Sequence, residues 1–410
     1  MRGEMLRTML TAGLCFSAAI FLAAAVTADD ISARARKLHF SSIVVDTHDD
    51  TTQRLLDGEF DLAARNADGS IDIPRMRDGN LSAIFFSIWI PSKVTGPEAV
   101  KRALEQIDAV REQVRKHSKD LALATTAAEI REARKQGKLA ALMGVEGGHM
   151  INSDLAILRT YAALGVRYMT LTHSGNDEWA DSSTDKPVHN GLTDFGKEVV
   201  REMNRLGVMV DISHVSDKTF YDALEVSKAP MIASHSSCRA ICDAPRNMTD
   251  QMMKDLAAKG GVIHINYHVG FLSQEFRNAE KADPEINKAI SAEIQKRCGE
   301  NEACQLLEGD RLTRENVEKG KLPRIEWTKI IEHIDHAAKV AGVDHVGLGS
   351  DFDGANMPYG MEDATKLPQL TEALLRKGYS EGDVKKILGE NTLRVMREVE
   401  RVSRELNAAI

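Results

Sequence analysis

Aromatic residues make up only 5% of this 410-residue chain, and no basic block is longer than a few residues. So few aromatics exclude a stacking platform for bases. A net charge of −8 without a basic stripe argues against a nucleic-acid partner. No Gly-rich phosphate turn follows the first candidate strand, which weighs against a doubly wound nucleotide-binding sheet. No internal repeat is visible. The final residues, RVSRELNAAI, are polar, so no C-terminal lipid anchor is expected. What is present is ordinary for a soluble globular enzyme: 43% hydrophobic and 28% charged residues.

Residues 1–28 read as a secretory signal. Arg2 and Arg7 form a basic start, an apolar stretch runs from Met9 to Val26, and Val26-Thr27-Ala28 gives a small-residue cleavage pattern. Cleavage would leave 51 basic and 60 acidic residues, a net charge of −9. The expected location is therefore periplasmic or secreted, with no stable membrane anchor after cleavage. Export implies a compartment that permits disulfides. Cys238, Cys242, Cys298 and Cys304 would remain, and four cysteines allow three pairings. Cys298 and Cys304 flank a short acidic turn and could close a small loop. Cys238-x3-Cys242 also leaves room for a thiolate zinc site.

Residues 29–410 read as a single domain with a βα rhythm. Eight near-continuous apolar runs have the character of buried parallel strands: Ser42–Thr47, Leu81–Ile90, Leu139–Val145, Val166–Thr172, Gly207–Ser213, Pro230–Ser234, Gly261–Tyr267 and Asp344–Ser350. Helical patterns lie between most of them, among them Pro97–Ser118, Leu192–Arg205, Asp217–Ser227, Asp250–Lys259 and Trp327–Ala341. This is the count of a (β/α)8 TIM barrel of the metal-dependent hydrolase type. The charged stretch 271–322 interrupts it between strands seven and eight. Its composition predicts an inserted helical pair lying near the active-site face, as decoration, lid or subunit contact. Helical apolar spacing over Glu381–Glu405 predicts a terminal helix packed on the barrel.

The chemistry collects at strand ends. His48 and Asp50, two residues apart in VVDTHDD, share a strand face and suit a divalent ion; Asp46 has the parity to support them. Glu146 in GVEGG offers two oxygens and can bridge two ions, although alone it could equally be a buried ion-pair partner. His214 (DISH) and His235 (ASH) end consecutive strands. Together His48, Asp50, Glu146, His214 and His235 suit two zinc ions sharing one carboxylate, which can hold a hydroxide and polarise a carbonyl. His173, in LTHSGNDEWAD, is assigned to the oxygen that becomes negative in the transition state, with an extra metal ligand as the alternative. Asp351 in GLGSDFDG is placed to move a proton, and Asp353 competes with it. Arg246 in APRN could bind a substrate carboxylate through two parallel hydrogen bonds. His39, His117, His333 and His336 fall in helical or linker context and are expected to face solvent. His264 and His268 flank strand seven, and His268 has the parity to approach the site. His149 yields to Glu146.

These segments resemble the membrane dipeptidase (renal dipeptidase) family of zinc peptidases, bacterial branch. The resemblance rests on DTHDD, DIPRMRDGNLSAIFFSIWIP, GVEGGH, LTHSGNDEWAD, GLTDFGKEVVREMNRLGVMVDISHVS, SHSSCRAICDAPRN, GLGSDFDG and GENTLRV, spread over about residues 42–397. It implies a TIM-barrel dipeptidase with two Zn2+ per chain: His48 and Asp50 on one ion, His214 and His235 on the other, Glu146 between them. It further implies that His173 contacts the carbonyl oxygen, Arg246 receives the terminal carboxylate of the dipeptide, and Asp351 shuttles the proton. A homodimer and acceptance of a D-residue at the second position are also implied. Vertebrate members carry a cysteine where Gly175 stands, so one of their disulfides cannot form here. The alternative function is a metal-dependent amidohydrolase acting on a β-lactam, lactone or N-acyl compound.

Overall fold

Nine short strands, all parallel, build the centre of the molecule: β1 (Val44–Asp49), β2 (Leu81–Trp89), β3 (Leu121–Leu123), β4 (Leu139–Glu146), β5 (Val166–Thr170), β6 (Met209–Asp211), β7 (Ile232–Ser236), β8 (Val262–Ile265) and β9 (Val346–Leu348). The structure is a computed structural model, and it describes residues 31–56 and 60–409. The signal sequence read at 1–28 lies outside the described residues. Among the described residues no helix is long and apolar enough to cross a membrane.

The sheet runs β2-β1-β9-β8-β7-β6-β5-β4, and pairing of β2 with β4 closes it into an eight-stranded barrel. β3 is the departure from the eight strands expected. It sits on the edge of β4 at Leu139–Ala141, just before β5 takes over that edge at Met143. A three-residue run, Leu121–Leu123, carries too little pattern to read as a strand; only the free edge of β4 makes it one. The strands are buried on both faces, as the apolar runs require. Most of the intervening helices begin where a hydroxyl or carboxamide side chain satisfies an otherwise unpaired N–H. Thr193, Ser216 and Thr249 accept from Gly196, Thr219 and Met252.

The two ends of the barrel are treated differently. At the N-terminal end, Leu393, Val395, Met396, Val399 and Val402 of the helix Asn391–Ala408 pack with Val45, Ala83, Phe85, Ala140, Met209, Ile232 and Val262. That end is a sealed apolar core, which meets the expectation for the terminal helix. The C-terminal end stays open and polar. There the backbone leaves regular geometry: His214 (φ 66°), Asp351 (φ 66°) and Asp353 (φ 60°) are non-glycine residues in the left-handed region. Such positions cost about 1–3 kcal/mol each and concentrate at functional sites.

The insertion holds three helices rather than a pair: Gln274–Ala282, Pro284–Cys298 and Glu302–Glu318, after a short turn at Val269–Leu272. Asp283-Pro284 separates the first two, because proline starts a helix well but cannot continue one. Val269, Phe276, Ile286, Leu322 and Ile325 give the insertion its own small core. A disulfide joins Cys298 to Cys304 across the turn between the second and third helices, as the short acidic turn allowed. Cys238 and Cys242 are free and buried. Their Sγ atoms face the carbonyls of His333 and Gly270, and burial raises both thiols, Cys242 to about 11. They belong to no cluster with metal-binding spacing among the described residues.

The four histidines expected in solvent need correction. His39 and His333 are fully buried. His39 bridges Thr371 Oγ1 and the Gly79 carbonyl, at 2.8 and 2.9 Å. His333 accepts from the Cys238 N–H and reaches the Leu272 carbonyl. Burial lowers each to about 4, so both are neutral struts. His117 is largely covered beside Asp61, and His336 is half-buried against Asp250. Amphipathic helices place some polar residues on the buried face, and the sequence pattern does not distinguish these four.

Candidate metal centre

The open barrel end gathers all eight residues singled out from the sequence. His48, the fifth residue of β1, directs Nε2 toward Glu146 Oε2 at 3.4 Å and Asp50 Oδ1 at 3.6 Å. Glu146 ends β4. Its other oxygen, Oε1, lies 2.9 Å from His214 Nε2 and 3.2 Å from His235 Nε2. One carboxylate therefore turns one oxygen to His48, which in turn faces Asp50, and the other to His214 and His235. The two imidazole Nε2 atoms of His214 and His235 are 3.0 Å apart. Three combinations of donor atoms are close enough to hold an ion: His48, Glu146 and His235; Glu146, His173 and His214; and His48, Asp50 and Asp351. His173 and Asp351 thus stand within ligand reach as well.

The donors fit a cation rather than each other. His48 Nε2 and Asp50 Oδ1 are buried without a hydrogen-bond partner among the described residues. Burial opposes a charge on His48, yet Tyr168, Glu146 and Asp50 hold it well above the ordinary imidazole range. Burial likewise opposes a charge on Glu146, but His48, His173, His214 and His235 keep it well below the carboxylate range. Asp50 is raised to about 7, chiefly by burial. Burial holds His214 and His235 well below the usual range, so both are neutral. The neutral imidazoles of His214 and His235 beside the Glu146 anion are the protonation states that a divalent ion requires, whereas at His48 and Asp50 a bound ion would take the place of a proton.

A supporting layer fixes which ring nitrogen points inward. Asp211 Oδ2 accepts from Ser234 Oγ at 2.6 Å, and Ser234 Oγ lies 2.8 Å from His235 Nδ1. With its own proton given to Asp211, the serine must accept from Nδ1–H, which leaves the Nε2 lone pair facing the site. Tyr168 Oη lies 2.8 Å from His48 Nδ1 and holds that imidazole in orientation. Gly144 is required beneath the tyrosine ring, since a Cβ there would lie 1.9 Å from Tyr168 Cζ. Asp46 accepts from the His48 and Ser350 N–H groups, the supporting place its parity suggested. Sequence reasoning missed Tyr168, Asp211 and Ser234. A serine precedes both ASH and ISH histidines, and that repeated pair was the available signal. Ser234→Ala is expected to weaken metal binding by about 10- to 100-fold with little change in fold; equilibrium dialysis against a competing chelator, with circular dichroism, checks it.

The remaining residues surround a cavity of about 360 Å³ over the cluster. Asp351 is held by Asn266, whose Nδ2 donates to Oδ2 at 2.8 Å, and its Oδ1 lies 3.9 Å from His48 Nε2. Asp353 points away, bonded to Thr51 Oγ1 and the Ser70 N–H, so only Asp351 faces the cavity. Arg246 is buried; one Nη donates to the His235 carbonyl, while Nε and Nη1 have no partner among the described residues. Phe271 covers it, 5.3 Å from guanidinium carbon to ring centre. His173 lies beside Trp89 and His214 and is pushed down, first by burial. His268 also lines the cavity, as its parity allowed, and accepts from the Asn356 N–H.

A closed parallel barrel with histidines and carboxylates converging at its C-terminal mouth defines a metal-dependent hydrolase. The comparisons narrow the class. The model of the membrane dipeptidase family, peptidase family M19, matches residues 32–409, and the chain belongs to that family. It is a metallopeptidase that cleaves dipeptides. It is 35% identical to Dipeptidase 3 of Macaca fascicularis and of Homo sapiens over 390 residues, 92% of this chain and 70% of theirs. Among solved structures, a metallopeptidase from Rhodobacter sphaeroides, bound to a phosphinate mimic of L-Ala-D-Ala, superposes with a TM-score of 0.72 at 26% identity, covering 87% of this chain and 99% of that one. The "probable dipeptidase PvdM" from Pseudomonas aeruginosa gives 0.75 at 26% identity, over 92% and 100%.

Proposed function

We propose that this chain is an exported dipeptidase that works with two zinc ions and accepts dipeptides with either an L- or a D-residue in the second position. The observation that carries the proposal is the divided Glu146 carboxylate, with a buried, half-unpartnered Arg246 across the same small cavity. When bound, the ions would activate water and polarise the scissile carbonyl. The residues supply the rest. Arg246 has two free donor positions to take the C-terminal carboxylate and fix the register of the peptide. His173, neutral and beside the cluster, donates to the carbonyl oxygen as it gains charge. Asp351 removes the proton of the attacking water and delivers it to the departing amine, held in position by Asn266.

The small cavity supports a dipeptide over a longer chain. The L-Ala-D-Ala mimic bound to the Rhodobacter sphaeroides relative supports tolerance of a D-residue. The Cys298–Cys304 disulfide is consistent with an oxidising compartment outside the cytoplasm. A free guanidinium facing the cluster favours substrates that carry a carboxylate, as a dipeptide does, over neutral lactones or lactams.

The test is amine release from a panel of L,L and L,D dipeptides, alongside tripeptides and N-acyl amino acids, on zinc-reconstituted protein. Dipeptides of both series should be cleaved, and tripeptides and N-acyl compounds should be poor substrates. Preference for the N-acyl compounds would refute the proposal.

A further inference from the structure

The third insertion helix contributes to the cavity wall from outside the barrel. Gln305, Leu306 and Gly309, on one face of that helix, line the cavity over the cluster. The helix is secured at its start and along its length. At its start, the Cys298–Cys304 disulfide closes the preceding turn, Asn301 Oδ1 accepts from the Cys304 N–H, and Gln305 Nε2 donates to the Gly299 carbonyl. Arg102 grips the Glu302 carboxylate through both oxygens, at 2.8 and 2.7 Å. Further along, Asp310 accepts from the Met357 N–H, and Arg314 donates to the Met357 carbonyl. Met357 belongs to the loop that leaves β9 and carries Asp351. The helix is therefore a fixed wall, tied to the loop that carries the proton-moving aspartate.

Its position around the ring decides what it meets. Arg246 follows β7, and Phe271, packed on it, follows β8. Leu306 instead shares a second cavity with Gly69 and Ser70, from the loop after β1, and with Asp353 and Ala355, after β9. A dipeptide with its carboxylate on Arg246 and its scissile carbonyl at the cluster places its first residue away from β7, where Leu306, Gly354 and Ala355 offer it a wall on the β9–β1 side. We infer that the disulfide-stapled third insertion helix walls the space for the side chain of the substrate's first residue, and that Leu306 sets the size accepted there. The inference rests on Arg246 receiving the carboxylate, as proposed above.

The test compares kcat/KM on zinc-loaded protein for two series: Ala–Ala, Leu–Ala and Phe–Ala, and Ala–Ala, Ala–Leu and Ala–Phe. Leu306→Ala removes three carbons from the wall, and a single methylene in an apolar pocket changes discrimination by about tenfold or more. The ratio of Phe–Ala to Ala–Ala should therefore rise at least about tenfold, with the Ala–Phe to Ala–Ala ratio holding near its wild-type value. Leu306→Phe, at a partly exposed position that tolerates bulk, should lower the first ratio. The double variant Cys298→Ser/Cys304→Ser should shift the first ratio in the direction of Leu306→Ala with zinc content unchanged. Unchanged ratios in both Leu306 variants, or movement of the second ratio in place of the first, overturn the inference while the wild-type protein still cleaves dipeptides. A wild-type protein that cleaves no dipeptide overturns the dipeptidase proposal itself.

Discussion

Replacing Glu146 with glutamine is expected to cost at least one metal ion per chain and about 10²- to 10³-fold or more in kcat/KM. The argument is electrostatic. Glu146 is buried between two groups of donors, with Oε2 toward His48 and Oε1 toward His214 and His235. Glutamine keeps the volume, removes the charge, and presents an N–H₂ where one side needs an acceptor. Breaking a buried charge set by removing one partner costs about 3–5 kcal/mol. At about 1.4 kcal/mol per factor of ten, that predicts at least two to three orders of magnitude. Metal analysis of the purified variant and kcat/KM on a good dipeptide check the two halves together, with circular dichroism to show that the barrel is intact. Near-native metal content and rate in a folded variant would show that Glu146 does not bridge.

Arg246→Ala should lower kcat/KM by about 30-fold to several thousand-fold, from the roughly 2–5 kcal/mol lost when a buried charge pair is broken. The effect should depend on the substrate's carboxylate. A dipeptide amide should be a poor substrate of the wild-type protein and should lose little more in the variant, because the interaction is already absent. Arg246→Lys should recover only part of the loss, since an ammonium cannot reproduce two parallel hydrogen bonds to one carboxylate. If alanine leaves kcat/KM for free dipeptides unchanged, the guanidinium holds another part of the molecule, and the amidohydrolase reading becomes the better one. The buried Nε and Nη1 without partners make that outcome hard to explain.

Much of this site was legible in the sequence because barrel strands end on the functional face. In each of several apolar runs, the chemistry-bearing residue at or just beyond the end reports a position at the mouth. His48, Glu146 and His235 sit within the last residues of β1, β4 and β7. Asp351 and Asp353 show where such reading depends on three dimensions. Both follow β9 in left-handed backbone, and only the hydrogen bonds of Asp353 to Thr51 and Ser70 reveal that it turns away. The supporting layer was less legible, because Tyr168, Asp211 and Ser234 are ordinary strand residues until their partners are seen. His39 and His333 failed for the opposite reason: a polar residue on a helix is assumed exposed, while here each finds two partners inside the protein. The insertion showed its helical character but not its reach. Nothing in CQLLEG indicates that Gln305 and Leu306 overlook the cluster; that follows from the disulfide and the ties to Arg102 and Met357.

The most direct test of the account is a zinc titration of metal-free protein with hydrolysis of a free dipeptide as the readout. The account predicts no turnover without metal and full activity at two equivalents per chain. Full activity in the metal-free protein, or a plateau at one equivalent with no second ion bound, would contradict it.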